Sequence, residues 1–194
     1  DPDARTLSIK DNGIGMSADE VMTNIGTIAK SGTKEFMEHL KSKNKSEQNN
    51  PDLIGQFGVG FYSSFLIADR VVLQTRKAGE EESTLWESEG DGTFQIQKGD
   101  MRENGTQITL HLKDPVPEDD LQDFTQTWTI QEVVRKYSDF VSYPIKMMVE
   151  RTEPVLDSEG KPLADAEPQV IREEKTLNSM KAIWLRDESE VSEE

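Results

Sequence analysis

The sequence predicts a domain of the α+β class, in which a mostly antiparallel sheet is covered by helices. Runs of alternating apolar and polar residues are typical of half-buried strands, and they occur near residues 5–10, 71–75, 93–97 and 106–112. Helix-capping patterns of the form Ser/Thr-x-x-Glu begin at Ser17 and Thr129. Because helices do not alternate regularly with the strands, the pattern favours α+β over a parallel βαβ arrangement.

The first strand is predicted over residues 5–10, because Leu7 and Ile9 lie on one face of an alternating run. It ends at the glycine-containing turn of residues 11–15. A helix is then expected to begin at Ser17.

Over the next fifty residues, glycines and a polar segment interrupt the predicted helices. Gly26 and Gly32 should end the first helix early, and a second short helix is predicted over residues 34–40. Residues 41–52 contain no apolar side chain, so nothing there offsets the entropy of ordering, and the segment is predicted to be mobile. Residues 61–68 are apolar enough to predict a buried helix.

The later strand runs predict an antiparallel meander, followed by a helix that begins near Thr129 and a closing strand over residues 143–149. The apolar face of that helix comprises Val133, Val134, Tyr137, Phe140 and Val141. Charge, proline and glycine dominate residues 150–176, which are read as a linker or an exposed hairpin. The predicted domains are therefore residues 1–149, the charged segment 150–176, and the start of another domain at 177–194, where residues 182–185 suggest a strand.

Composition excludes several classes of protein. Lys and Arg total 22 against 38 Asp and Glu, a net charge of −16, which disfavours binding to nucleic acid or to an anionic membrane. There is no cysteine, so disulfides, thiolate metal sites and a catalytic thiol are excluded, in keeping with a cytoplasmic location. No apolar run reaches the length of a membrane span. Since the chain opens at Asp1 without a methionine, we expect it to be a piece of a longer protein.

The first motif that suggests chemistry is Asp11-Asn-Gly-Ile-Gly-Met16. A carboxylate at the end of a strand can accept a hydrogen bond from an exocyclic amine, and Gly13 and Gly15 would let the backbone approach a flat ring. The alternative is an ordinary turn, since Asp-Asn-Gly is common in loops. The motif alone does not decide between them.

The second motif is Gly55-Gln-Phe-Gly-Val-Gly60, directly before the apolar segment at residue 61. Successive backbone amides in such a loop can turn toward an anion. The motif matches neither a Walker A loop nor the dinucleotide fingerprint. A glycine-rich turn that serves only close packing is the alternative. Together, the two motifs and the segment between them fit an adenine site, a phosphate site and a connecting lid.

With these motifs, the chain resembles the heat-shock-protein-90 chaperone family in its bacterial HtpG form. That family belongs to a wider group of ATPases with type II topoisomerases, mismatch-repair proteins and sensor histidine kinases. The resemblance spans most of the chain and lies in residues 11–16, 24–33, 54–63, 104–106 and 143–144. The Lys30-Ser-Gly-Thr33 and Phe61-Tyr-Ser63 segments favour the chaperone branch. The fold implied is the two-layer α/β sandwich of this ATP-binding group.

The resemblance implies a role for each matching residue. Asp11 would bind the adenine amino group, Gly15, Met16 and Thr106 would complete the base pocket, and Asn24 and Lys30 would contact the ribose and phosphates. The phosphate loop would comprise Gly55, Gln56, Phe57, Gly58, Val59, Gly60 and Phe61, and the lid would extend over about residues 26–60. The cofactor would be ATP or ADP.

The resemblance also implies what this chain lacks. In the family, the glutamate that activates water and the asparagine that binds Mg²⁺ precede the first motif, so no catalytic residue and no metal ligand is assigned here. The intact protein would bind Mg²⁺, form a homodimer, assist client proteins and work with co-chaperones, whereas this piece alone is expected to hydrolyse ATP hardly at all.

Two other functions remain open from the sequence. A topoisomerase or repair ATPase would share both motifs but would need a basic surface for DNA, and a histidine-kinase domain would need an upstream phospho-acceptor domain. His39 and His111 have no partner at metal-ligand or triad spacing and are expected to be structural. Trp86, Trp128 and Trp184 are expected in core or edge packing.

Overall fold

The computed structural model describes residues 1–26, 60–115, 122–154 and 168–180. The chain divides into two compact units, Asp1–Thr125 and Gln126–Glu194. Each unit is described by itself. The expected domain limits after residues 149 and 176 stay a prediction.

The first unit is built on a five-stranded sheet in which every neighbouring pair is antiparallel. Its strands are β1 (Thr6–Lys10), β2 (Ala68–Arg76), β3 (Ser83–Ser88), β4 (Gln95–Lys98) and β5 (Gly105–Leu112). Helix α1 (Ala18–Asn24) and a 3-10 helix (Phe61–Leu66) complete the described elements of this unit. The α+β class with an antiparallel sheet is confirmed.

The strand order β1-β5-β2-β3-β4 shows that the sheet is not a simple meander. Strands β2, β3 and β4 follow one another, but β5 returns across the sheet and pairs with both β1 and β2. Thr106 therefore lies opposite Thr75, and Gly105 lies opposite Arg76. This crossing, which the alternating pattern did not predict, brings the start of β5 beside the loop that follows β1.

The core of the first unit lies between α1 and one face of the sheet. Its fully buried members include Val21 on α1, Leu73 on β2 and Trp86 on β3. Phe61 packs edge-on against Trp86, with ring centroids 5.4 Å apart. The prediction that Leu7 and Ile9 share a half-buried face is only half right, since Leu7 packs on the core and Ile9 is 54% exposed.

Helix α1 begins as the sequence predicts. The Ser17 hydroxyl accepts from the Glu20 amide, and the Glu20 carboxylate accepts from the Ser17 amide, which is a complete capping box. The helix ends at Asn24, two residues before Gly26. The early end of the helix is thus confirmed.

The buried helix predicted over residues 61–68 is wrong in two respects. The segment forms a 3-10 helix that ends at Leu66, and Ala68 already belongs to β2. None of its residues is fully buried, and Leu66 is 72% exposed. A six-residue turn next to a strand cannot bury all its apolar side chains on one side, so the apolar run overstated the burial.

The second unit contains helix α2 (Thr127–Tyr137) and a hairpin of β6 (Lys146–Glu153) with β7 (Gln169–Thr176). The N-cap of helix α2 is Gln126, so the cap predicted at Thr129 is three residues late, and Thr129 is instead a buried residue of the first turn. Much of the predicted apolar face is exposed: Tyr137 is 72% exposed and Phe140 54% exposed. Trp128 is 62% exposed, so its expected packing is also wrong.

The closing strand predicted over residues 143–149 runs from Lys146 to Glu153. It pairs along its whole length with β7, so the charged segment contains a hairpin rather than a plain linker. Beyond β7, the buried Asn178 amide holds the turn before β6, because its Nδ2 donates to the Val141 and Tyr143 carbonyls.

Several predicted features lie outside the described residues. They are the second short helix, the polar segment 41–52, the strand at 182–185, His39 and Trp184. Among the residues that the structure describes, no helix is long and apolar enough to cross a membrane.

Candidate functional site

The candidate site begins at Asp11, where β1 ends and the glycine turn begins. Its backbone amide donates to the Thr106 carbonyl at 2.8 Å, which continues the β1–β5 pairing by one residue. Its Oδ1 accepts from the Gly13 amide at 2.8 Å and from the Thr106 amide at 3.2 Å. Its Oδ2 has no hydrogen bond or ion pair with any residue in the described part of the chain, and the side chain is exposed. One carboxylate oxygen thus fixes the turn, and the other is open to a ligand.

Two glycines let the turn lie directly on the end of the sheet. Gly15 has φ +69°, and a Cβ there would lie 1.9 Å from the Arg76 carbonyl oxygen. Gly105 has φ +126°, and a Cβ there would lie 2.3 Å from the Asp11 carbonyl oxygen. Any side chain at either position would push the two segments apart.

Further hydrogen bonds secure both sides of the turn. The Ala78 amide donates to the Ile14 carbonyl at 2.7 Å, and the Asn104 side-chain amide donates to the Gly13 carbonyl at 2.8 Å. Ile14 itself is 64% exposed, so the turn presents an apolar side chain as well as a carboxylate. The turn therefore offers a ligand one carboxylate acceptor and one apolar side chain.

Thr75 is the residue of the site that the sequence reasoning missed. It is fully buried at 0% exposure, and its hydroxyl accepts from the Met16 amide at 2.9 Å and donates to the Gly105 carbonyl at 2.9 Å. It also lies 3.1 Å from the Thr106 hydroxyl. The available signal was a hydroxyl residue on the inward face of an alternating run that otherwise carries Val71 and Leu73.

An ion pair joins α1 to the end of β2 below the turn. The Lys77 ammonium lies 2.6 Å from Glu20 Oε1. Burial tends to raise the pKa of Glu20, but the hydrogen bonds from Lys77 and the Ser17 amide outweigh it and leave the pKa below its usual value. The hydrogen bond to Glu20 raises the pKa of Lys77, so both groups are charged at neutral pH.

The sequence-predicted residues fall into three groups. Asp11, Gly15, Met16 and Thr106 are brought together around Thr75. Asn24 ends α1 and its side chain makes no hydrogen bond with a described residue, whereas Gly60 and Phe61 begin the 3-10 helix. The Tyr62 hydroxyl of that helix donates to the Ile25 carbonyl, so the end of α1 and the start of the 3-10 helix lie side by side.

The third group lies outside the described residues. It consists of Lys30, Gly55, Gln56, Phe57, Gly58 and Val59, whose roles stay predictions. Within the described ranges, no group of three or more His, Asp or Glu side chains could hold a metal ion.

Comparison with known families shows the family to which the chain belongs. Residues 1–98 match the model of the family described as histidine kinase-, DNA gyrase B-, and HSP90-like ATPase. The chain belongs to this ATPase family. The matched residues include the Asp11 turn, α1, β2 and β3, and the resemblance drawn from the motifs is confirmed.

Curated relatives point to one branch. The chain is 53% identical over 196 residues to "Chaperone protein HtpG" of Mycobacterium avium (strain 104). It is 52% identical over 198 residues to the protein of that name from Mycolicibacterium vanbaalenii, and 52% identical over 194 residues to that of Mycobacterium tuberculosis (strain ATCC 25177 / H37Ra). Each match covers 100% of this chain, which spans only about 30% of the length of these relatives.

Proposed function

We propose that this chain binds the adenine ring of ATP or ADP at the Asp11 turn. The observation that supports the proposal is the difference between the two oxygens of the Asp11 carboxylate. Oδ1 is occupied by the Gly13 and Thr106 amides, while Oδ2, on an exposed side chain, is unpaired among the described residues. An ordinary turn needs only the bond to Gly13.

The neighbouring groups support a purine as the ligand. A carboxylate oxygen can accept from the exocyclic amino group, and the backbone at Gly15 comes close to the sheet without a side chain between them. Met16 and Thr106 lie beside that backbone and would complete the base pocket. Asn24, Lys30 and the loop from Gly55 to Phe61 would hold the ribose and phosphates.

For the whole protein we propose an ATP-dependent molecular chaperone. The support is the likeness to the HtpG chaperones, of which the chain spans about 30%, and the ATPase family of residues 1–98. ATP binding would close a lid over about residues 26–60 and bias a homodimer that acts on client proteins with co-chaperones in the cytoplasm. Mg²⁺ would accompany the nucleotide and neutralise phosphate charge. The net charge of −16 counts against a topoisomerase or repair enzyme that holds DNA.

The base-pocket proposal is tested by calorimetric titration of ADP into the wild type and Asp11→Asn. Asparagine keeps an oxygen for the Gly13 and Thr106 amides but replaces the other acceptor with an NH₂ donor. A hydrogen bond to a charged group contributes about 1.5–3 kcal/mol, so ADP should bind roughly 10- to 100-fold more weakly.

Asp91→Asn is the matched control. Asp91 is also exposed, and its Oδ1 accepts from the amide two residues ahead, Thr93, at 2.8 Å, the same local turn geometry as at Asp11. ADP affinity should not change in this variant. An equal affinity of ADP for wild type and Asp11→Asn would contradict the base-pocket proposal.

A second titration separates the chaperone branch from the other ATPases of the family. An adenine-pocket inhibitor of the heat-shock-protein-90 chaperones should bind the wild type in competition with ADP. ADP binding without inhibitor binding would favour a topoisomerase-like site and would overturn the chaperone proposal while leaving the base pocket intact.

A further inference from the structure

We infer that Thr75 determines which groups of the base pocket accept hydrogen bonds and which donate them. As a result, the site favours a purine with a 6-amino group over one with a 6-keto group. Thr75 is a positioning residue that acts through Thr106. The inference rests on the proposed adenine site and names the residue that sharpens its base specificity.

Thr75 is sealed from water. Its exposure is 0%, and its hydroxyl has three partners, the Met16 amide, the Gly105 carbonyl and the Thr106 hydroxyl, at 2.9, 2.9 and 3.1 Å. A hydroxyl has one proton and two lone pairs, so three partners exhaust its capacity. Each bond therefore has a fixed direction.

Only one arrangement of protons satisfies these three hydrogen bonds. The Met16 amide can only donate, so it takes one lone pair of Thr75. The Gly105 carbonyl can only accept, so it takes the single Thr75 proton. Only the second lone pair of the Thr75 hydroxyl is then left for Thr106. The Thr106 hydroxyl must therefore donate its own proton to Thr75.

Thr106 can offer a ligand only its side-chain oxygen. Its amide is already directed at Asp11 Oδ1, and its carbonyl accepts from the Asp11 amide. With its hydroxyl proton directed to Thr75, Oγ1 has only lone pairs to offer. Thr106 Oγ1 and Asp11 Oδ2 are then both acceptors, on neighbouring residues of the same cluster.

Two acceptors match an amino group, which brings two protons. They oppose a keto oxygen, which brings only lone pairs, because neither of the two acceptors has a proton to donate to it. Without the Thr75 hydroxyl, the Thr106 hydroxyl is free to rotate and donate to a keto oxygen. Thr75 therefore holds Thr106 in the orientation that rejects the 6-keto base.

The test compares the dissociation constants of ADP and inosine diphosphate, measured by calorimetry for wild type, Thr75→Val and Thr75→Ser. Valine has the shape of threonine without the hydroxyl. The preference for ADP over inosine diphosphate should fall about tenfold in Thr75→Val, the equivalent of one neutral hydrogen bond. Thr75→Ser keeps the hydroxyl and should restore the wild-type preference.

Thr109→Val is the matched control, since Thr109 lies on the same strand as Thr106 and its hydroxyl contacts Ser8 at 3.0 Å, away from the Asp11 turn. It should leave the preference unchanged. An unchanged preference in Thr75→Val, or equal weakening of both nucleotides, would overturn the inference. So would a loss of preference in Thr75→Ser as large as that in Thr75→Val.

Thr106→Val provides a second measurement, at a partly exposed residue, which decides the matter if Thr75→Val does not fold. If Thr106 acts only as an acceptor, this variant should weaken ADP about tenfold and leave inosine diphosphate unchanged. Thr75→Val should then add nothing to the preference in the Thr106→Val background. Equal loss for the two nucleotides would overturn the inference. Failure of the wild type to bind ADP at all would instead overturn the proposed base pocket.

Discussion

The close approach of Gly15 to the sheet makes a quantitative prediction about stability. A Cβ added at Gly15 would lie 1.9 Å from the Arg76 carbonyl oxygen, whereas ordinary contact begins near 3.4 Å, so the turn must retreat by about 1.5 Å. That retreat breaks the Met16–Thr75 and Ala78–Ile14 hydrogen bonds, at about 1 kcal/mol each. Strain at φ +69° adds about 1–2 kcal/mol. Gly15→Ala should lower the free energy of unfolding of the first unit by about 3–4 kcal/mol.

Gly79→Ala isolates the strain from the collision. Gly79 has φ +87°, but a Cβ there would meet nothing within 4 Å, so its loss should be only about 1–2 kcal/mol. Urea unfolding can be followed by the fluorescence of the buried Trp86, in a background where Trp128 and Trp184 are replaced by phenylalanine. Equal losses in the two variants would refute the claim that the turn lies directly against Arg76.

Three further predictions concern the cap, the core and a histidine. Ser17→Ala should cost about 1 kcal/mol of unfolding free energy in urea, because it removes the side-chain cap of α1, and a cost near zero would contradict the capping box. Leu73→Ala should cost about 3–5 kcal/mol in the same assay, and a loss below about 1 kcal/mol would contradict its place in the core. Burial, and to a lesser extent the Arg70 guanidinium, lowers the pKa of His111 below 6.5. As the pH falls, the histidine is therefore protonated in the unfolded chain before it is protonated in the folded chain. Stability from this group is complete above pH 6.5 and is lost as the pH falls toward the folded pKa, and urea midpoints should fall less steeply below pH 6.5 in His111→Gln than in wild type.

The sequence predicts well what depends on neighbours along the chain. The capping box at Ser17, the early end of α1 and the first strand all follow from residues within four positions of one another. The Asp11 turn could be recognised for the same reason, because the carboxylate, Gly13 and Gly15 are close together in sequence.

What the sequence does not predict depends on contacts between distant segments. The pairing of β5 with β1 joins residues about a hundred positions apart, and alternation alone cannot show which strand lies beside which. Strand β3 was not predicted, because its pattern is interrupted by polar residues, and Ser83, Thr84 and Ser88 are buried all the same. The role of Thr75 was not predicted for a related reason, since its three partners become neighbours only when β5 crosses the sheet.

The start of α2 shows the limit of a motif by itself. Thr129 and Glu132 have the spacing of a capping box, but the helix already begins at Thr127 and Thr129 is fully buried in its first turn. The spacing of the two residues carries no information about which of them the fold buries.

Binding of adenine at the Asp11 turn is tested most directly by titrating ADP into the ¹⁵N-labelled chain and following amide chemical shifts. If the base binds there, the amides of Gly13, Met16 and Thr106 shift together and saturate with one dissociation constant, while those of β4 (Gln95–Lys98) stay in place. Saturable ADP binding that leaves the Gly13, Met16 and Thr106 amides unmoved would show that the base binds elsewhere.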